Sequence, residues 1–122
     1  MIYTFGYSGQ SFDEFSARVA ALDALVVDIR LVPQSRFSPP WRKANLEKVF
    51  KENYLHVGAL GNKGFKEKRM DIADLDTGLA IVEAIEENLI LLCACKDIEK
   101  CHRKIIADAL REHGHEVDEL PL

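Results

Sequence analysis

The chain switches repeatedly between a strand-like and a helix-like hydrophobic pattern, and this alternation constrains its fold more than any other feature. Residues 2–5 are short, aromatic and β-branched, and end at Gly6, as a strand does. Ser11 with Glu14 three residues on forms a capping box, and Phe12, Phe15, Val19 and Leu22 recur at helical spacing. A first helix over 11–22 follows. Residues 25–29 read as a second strand, apolar except for Asp28. Three prolines exclude regular structure from 30–40. Leu46, Val49 and Phe50 mark a helix over about 42–52, and 54–57 a third strand. Residues 58–74 read as a long loop and 75–87 as a third helix. The apolar run 89–95 is a fourth strand. Ile105, Ile106, Ala109 and Leu110 give a fourth helix, closed by Gly114, and 115–118 an edge strand.

Five strands alternating with four helices predict a mostly parallel sheet in a three-layer α/β/α sandwich, Rossmann-like or flavodoxin-like. With 122 residues the chain makes a single domain over its whole length, since each half would be too small to bury a core. Strand order is open at this point, and so is oligomeric state. A hydrophobic content of 48% argues against disorder. No apolar run is long enough to cross a bilayer, so no membrane partner is expected. The first residues lack the layout of a signal peptide, and a cytoplasmic location is the expectation.

In parallel α/β sheets, ligands bind at the carboxyl ends of the strands. The loops there are long and polar, whereas the returning loops are short. Gly6-Tyr7-Ser8-Gly9, after the first strand, can offer backbone N–H groups and a hydroxyl to an anion, or simply make a turn. Asp28 in an apolar strand needs a partner, with Arg30 or Arg103 the candidates. The loop segments 30–43, 58–70 and 96–104 each hold four basic residues, against zero, one and two acidic ones. They carry a surplus of nine positive charges, while the chain as a whole has a net charge of −4. The predicted strand-end face is therefore positive on an otherwise acidic molecule, and it suits an anionic ligand. Phe37, Trp41 and Phe65 lie in these loops; Trp41, beside Pro39 and Pro40, reads as a packing anchor.

All three cysteines, Cys93, Cys95 and Cys101, lie within nine positions. Such an odd cluster is no disulfide framework. Cys93 and Cys95 face the same side of a strand, and Cys93 suits a buried core position. Cys101-His102-Arg103 falls near a helix start, where thiol pKa values drop. A phosphatase loop needs Cys, five residues, then Arg; Cys95 plus six is Cys101, so that match fails. Structural zinc takes four ligands, usually with paired Cys-x-x-Cys spacing, which is missing even with His56 as a remote fourth. Three readings stay open: a nucleophilic cysteine helped by His102 and Arg103, a Cys/His metal site, and a core cysteine beside an anion-holding His102 and Arg103.

The order Gly6-Tyr7-Ser8, Asp28-Ile29-Arg30, Pro33-Gln34-Ser35-Arg36, Leu60-Gly61 and Leu92-Cys93-Ala94 leading to Cys101-His102-Arg103 resembles the family called domain of unknown function 488. The resemblance spans essentially the whole chain. It implies an α/β domain with a polar strand-end site and brings no settled activity or cofactor. At Cys95 that family more often has an acidic residue, so the chain departs there.

The reading that follows is an enzyme or enzyme-like domain binding a phosphate-bearing anion, a nucleotide or nucleic acid component. His102, Cys101 and Asp28 are the catalytic candidates. Gly6, Tyr7, Ser8, Arg30, Ser35, Arg36, Gly61 and Arg103 are the ligand-binding ones. No residue is assigned to a metal, and the cofactor is unknown. The alternatives are a non-catalytic anion or nucleic-acid binding module and the metal site.

Overall fold

The computed structural model describes residues 1–34 and 38–122. Ser35, Arg36 and Phe37 therefore lie outside the described residues. The strands are β1 (Ile2–Gly6), β2 (Leu25–Asp28), β3 (Tyr54–His56), β4 (Leu89–Cys93) and β5 (Val117–Glu119). They form one all-parallel sheet in the order β3-β2-β4-β1-β5. The helices are α1 (Phe12–Leu22), α2 (Lys43–Phe50), α3 (Leu75–Glu83) and α4 (Arg103–Glu112). The result is the three-layer α/β/α domain that the alternation predicts.

The core divides by sheet face because side chains alternate along a strand. On one face Phe15 and Val19 of α1 and Leu46 and Phe50 of α2 cover Phe5, Val26, Ile90 and Leu92. On the other, Leu79 and Val82 of α3 and Ile106 and Leu110 of α4 cover Val27, Leu89, Leu91 and Cys93. Every residue of β4, the central strand, is 0% exposed, as a strand covered on both faces should be. Trp41 is the anchor expected of it. It stacks on Tyr7 with ring centroids 4.9 Å apart and meets Phe5, Phe12 and Phe15.

Several elements are shorter than their hydrophobic patterns. α2 stops at Phe50, because Lys51 turns to a φ of 53° and a short 3-10 turn takes over. α3 stops at Glu83. The next residues include Glu86 and Glu87, which would oppose the negative end of the helix dipole, and the chain there must turn back into β4. β4 leaves the sheet after Cys93, for a reason that lies in the site below. Among the described residues of the loops after β2 and β3, Pro39–Trp41, Gly58–Leu60 and Phe65–Glu67 form short 3-10 turns.

At the opposite end of the sheet from the strand-end loops, the end of α3 is tied to the end of α4. His113 Nδ1 and His115 Nε2 hydrogen-bond the two oxygens of Glu83 at 2.8 and 3.0 Å. These bonds hold the Glu83 carboxyl below its ordinary pKa. A lowered folded-state pKa stabilises above the ordinary carboxylate value, and that contribution is lost as pH falls through the folded value. We expect Glu83→Gln to flatten the acid limb of stability. Thermal unfolding of wild type and variant should differ at neutral pH and converge below about pH 4. A constant difference across that range would refute the assignment.

Candidate functional site

Strand order decides where a site can form. β2 sends its chain outward to the β3 edge, while its neighbour β4 sends its chain toward β5 at the other edge. The loops after these two strands diverge, and such a switch point is where open α/β sheets take ligands. Asp28 pairs in register with Leu92 on one side and His56 on the other. Gly6, at the end of β1, pairs with Cys93. The parallel sheet thus brings the three basic loops and the cysteine cluster to one end.

Asp28 is 0% exposed and fully engaged. Arg30 Nε and Nη2 grip its two oxygens at 2.8 and 2.7 Å, the Arg30 backbone N–H adds a bond at 3.1 Å, and the Tyr54 hydroxyl donates at 2.7 Å. Burial alone would lower the Arg30 pKa, but its bonds to Asp28 outweigh this and the net shift is upward. Burial, reinforced by the bond to Asp28, pushes the Tyr54 hydroxyl up and keeps it a donor. Arg30 Nη1 reaches the Tyr7 hydroxyl at 3.4 Å, and the guanidinium lies over the Tyr7 ring. Of the two candidate partners for Asp28, the structure selects Arg30. The group is a positioning unit: it holds one arginine in one orientation at the end of β2.

Arg103 does different work. A guanidinium has five N–H groups, and all five have protein acceptors here. Nε and Nη2 bind Glu119, Nη2 also binds the Lys96 carbonyl, and Nη1 binds the Cys95 carbonyl at 2.6 Å and the Cys93 sulfur at 3.3 Å. The expectation that Arg103 holds a ligand anion is corrected on this count, because no donor is left for one. Arg103 instead draws the chain after β4 over the end of β1. There the Cys95 carbonyl occupies the place of a Gly6 side chain: a Cβ on Gly6 would lie 1.7 Å from that oxygen. This crossing is why β4 ends at Cys93.

Tyr7, Ser8 and Gly61 of the expected ligand groups are engaged within the protein too. The N–H groups of Tyr7 and Ser8 bind the Cys93 and Ala94 carbonyls, and the Ser8 hydroxyl donates to Ala94 at 2.5 Å. The 6–9 turn is thus a continuation of strand pairing, in place of the anion cradle it resembles. Gly61 is also a packing residue: a Cβ there would meet the Leu31 backbone at 2.4 Å, where the loops after β2 and β3 touch. Ser35 and Arg36 lie outside the described residues. Exposed cations remain on the rim, with Lys66 and Lys68 after β3 and Lys96 and Lys100 after β4.

The chemistry concentrates at Cys101. It is 2% exposed and directly precedes His102 and α4. Its sulfur lies 2.8 Å from that of Cys93 and 3.8 Å from His102 Nδ1. Hydrogen bonds from the Cys93 and Cys95 thiols pull the Cys101 pKa far down against the opposing effect of burial. His102 and the Arg103 backbone N–H add to this. The neighbouring Cys101 sulfur, together with burial, moves the Cys93 and Cys95 thiols up. His102 Nε2 lies 2.9 Å from the Ile29 carbonyl, which only accepts. Nε2 therefore carries the hydrogen, and the lone pair of the neutral ring is on Nδ1, toward Cys101. His102 and Cys101 thus form a thiol–imidazole pair of fixed tautomer.

The Cys95, Tyr54, His56 and Glu119 side chains all belong to this site. His56 Nε2 binds the Arg30 carbonyl at 2.7 Å, next to the Ile29 carbonyl held by His102. Tyr54 and Glu119 carry no motif, and only strand pairing reveals them. Among the described residues no group of three or more His, Cys, Asp or Glu is arranged to hold a metal ion, and no helix is long and apolar enough to cross a membrane. Comparison of the chain with protein-family models, with curated proteins and with solved structures finds no match to any of them.

Proposed function

We propose that this chain is an enzyme-like domain that binds a phosphate-bearing anion at its strand ends, with Cys101 as the reactive group and His102 as its proton partner. The observation that carries the reading is the set of groups converging on one sulfur: the Cys93 thiol at 2.8 Å, a backbone N–H at the start of α4, and an imidazole whose Nδ1 lone pair faces it and can take its proton. Thiolates are the nucleophilic form of cysteine, and a helix N-terminus with flanking cations favours them. Proton transfer from Cys101 to Nδ1 gives an imidazolium whose two N–H groups face the thiolate and the Ile29 carbonyl. His102 is then placed to return the proton to a leaving group. The exposed Lys96 and Lys100 supply the attraction for an anion.

Alkylation of Cys101 by iodoacetamide, followed by peptide mapping across pH, tests this. The rate should reach its plateau well below the ordinary thiol pKa of about 8.5. His102→Gln should shift the profile upward, and inorganic phosphate should protect Cys101 in wild type but less in a Lys96→Ala, Lys100→Ala double variant. An ordinary thiol profile combined with phosphate protection would make the domain a non-catalytic anion-binding module. Neither effect appearing would defeat both readings.

A further inference from the structure

The Cys93 and Cys101 sulfurs lie 2.8 Å apart, both as free thiols. The contact joins two segments that are held for separate reasons. Cys93 ends β4, the central strand, and is 0% exposed. Cys101 is 2% exposed; its N–H donates to the Ile98 carbonyl, and its own carbonyl accepts from the Lys104 N–H. Each sulfur also has its own polar neighbour. Arg103 Nη1 donates to Cys93 at 3.3 Å, and His102 Nδ1 lies 3.8 Å from Cys101. A disulfide has an S–S bond of about 2.05 Å, so closing this pair takes a movement of less than about 1 Å. Cysteines that merely fill a core pack as small hydrophobes and need no cation aimed at the sulfur.

We propose that Cys101 is a site of oxidation by hydrogen peroxide and that Cys93 resolves the product into a Cys93–Cys101 disulfide. The inference rests on the reading of Cys101 as the reactive thiolate with His102 as its proton partner. The enclosure of both sulfurs sets the class of oxidant: hydrogen peroxide is small enough to reach them, and a bulky disulfide such as oxidised glutathione is not. In the first step the Cys101 thiolate attacks one oxygen of the peroxide. The S–O bond forms, the O–O bond breaks, and the leaving hydroxide takes the proton from His102 Nδ1 to become water. Cys101 is then a sulfenic acid, the first and reversible stage of thiol oxidation. In the second step the Cys93 sulfur attacks the Cys101 sulfur. The S–S bond forms, the S–O bond breaks, and hydroxide leaves with the Cys93 thiol proton as a second water. Two thiols are oxidised and one peroxide is reduced to two waters. The Arg103 guanidinium favours negative charge on Cys93 as its proton departs. The bridge consumes the Cys101 nucleophile, so it switches off the chemistry of the site until a thiol reductant reopens it.

The full chain, treated with hydrogen peroxide and then quenched with iodoacetamide, tests the proposal. Trypsin cuts after Lys96 and Lys100, so a bridge to Cys101 appears as a cross-linked pair of peptides that has lost two hydrogens. Fragmentation of that pair should place the bridge on Cys93 and the alkyl group on Cys95. Alkylation of Cys101 should be lost in step with bridge formation and return on reduction with dithiothreitol. Oxidised glutathione at the same concentration should form the bridge about tenfold more slowly or worse, because access limits it. Cys95→Ser should still form the bridge. Cys93→Ala should leave Cys101 as a sulfenic acid that dimedone traps, and the wild-type peptide map decides the linkage even if that variant folds poorly. A bridge from Cys95 to Cys101, a sulfenic acid that persists in wild type without a bridge, or faster bridging by oxidised glutathione would overturn the proposal. Rapid low-pH alkylation of Cys101 with no bridge defeats this proposal alone. Slow alkylation at every pH defeats the reading of Cys101 beneath it as well.

Discussion

Asp28→Asn is expected to lower the stability of this domain by about 3–5 kcal/mol, the range for removing one partner of a buried ion pair. The carboxylate is 0% exposed and Arg30 only 8%. Asparagine keeps the size of aspartate, so no cavity enters the result. It places an amide N–H₂ against either Arg30 or the Tyr54 hydroxyl, both of which are donors to Asp28 in the wild type. One donor is then left facing another, and the Arg30 charge stays buried without compensation. The urea unfolding midpoint should fall with little change in slope. Replacing both partners, Asp28→Leu with Arg30→Met, should cost clearly less, since no orphaned charge remains. A loss below about 1 kcal/mol for Asp28→Asn, the range of exposed pairs, would mean that the pair is solvated.

Gly6→Ala is expected to act on both the fold and the chemistry. One methyl group at this position would stand 1.7 Å from the Cys95 carbonyl oxygen and 2.7 Å from Arg103 Nη1. Neither neighbour can yield cheaply: the first is backbone, and the second is held by Glu119, Cys93 and Cys95. Overpacking of this kind costs about 1–3 kcal/mol, and more where backbone must move. Displacing Arg103 also disturbs the Cys93 sulfur, which touches both Arg103 Nη1 and Cys101, so the alkylation profile of Cys101 should move toward that of an ordinary thiol. Gly9→Ala is the control. Its Cβ would meet nothing within 4 Å, but its φ of 76° makes any side chain strained, at about 1–2 kcal/mol. Gly9→Ala should destabilise and leave Cys101 chemistry unchanged. If Gly6→Ala also leaves it unchanged, the crossing at Gly6 does not position the cysteines.

The contrast between these two glycines shows what a linear reading can reach. Both lie in one four-residue turn, and by composition alone either suits an anion cradle. Only the path of the chain after β4, set by Arg103, makes Gly6 a point of backbone contact. Arg103 itself is the clearest reversal. In sequence it adjoins Cys101-His102 and a basic loop, which suggests an arm for phosphate. Its five donors turn inward because β5 brings Glu119 beside it, and no local pattern announces that pairing. Asp28 was more legible: a charged residue in an apolar strand must have a partner, and Arg30, two residues on, was one of two candidates.

The sequence by itself determined the alternation of strands and helices, the parallel α/β class, the buried place of Cys93 and the packing role of Trp41. These follow from periodicity and from the cost of leaving apolar surface in water, which act over a few residues. The tertiary structure alone decided the strand order, and with it the switch point between β2 and β4. It also decided the closure of Arg103 onto Glu119 and the contact between the Cys93 and Cys101 sulfurs. These depend on contacts between segments far apart in the chain, where hydrogen-bond geometry and the limited number of donors select one partner from several chemically equal ones. The three clustered cysteines are visible in the sequence, but only the crossing of the chain after β4 over Gly6 leaves Cys95 half-buried while Cys93 and Cys101 are enclosed.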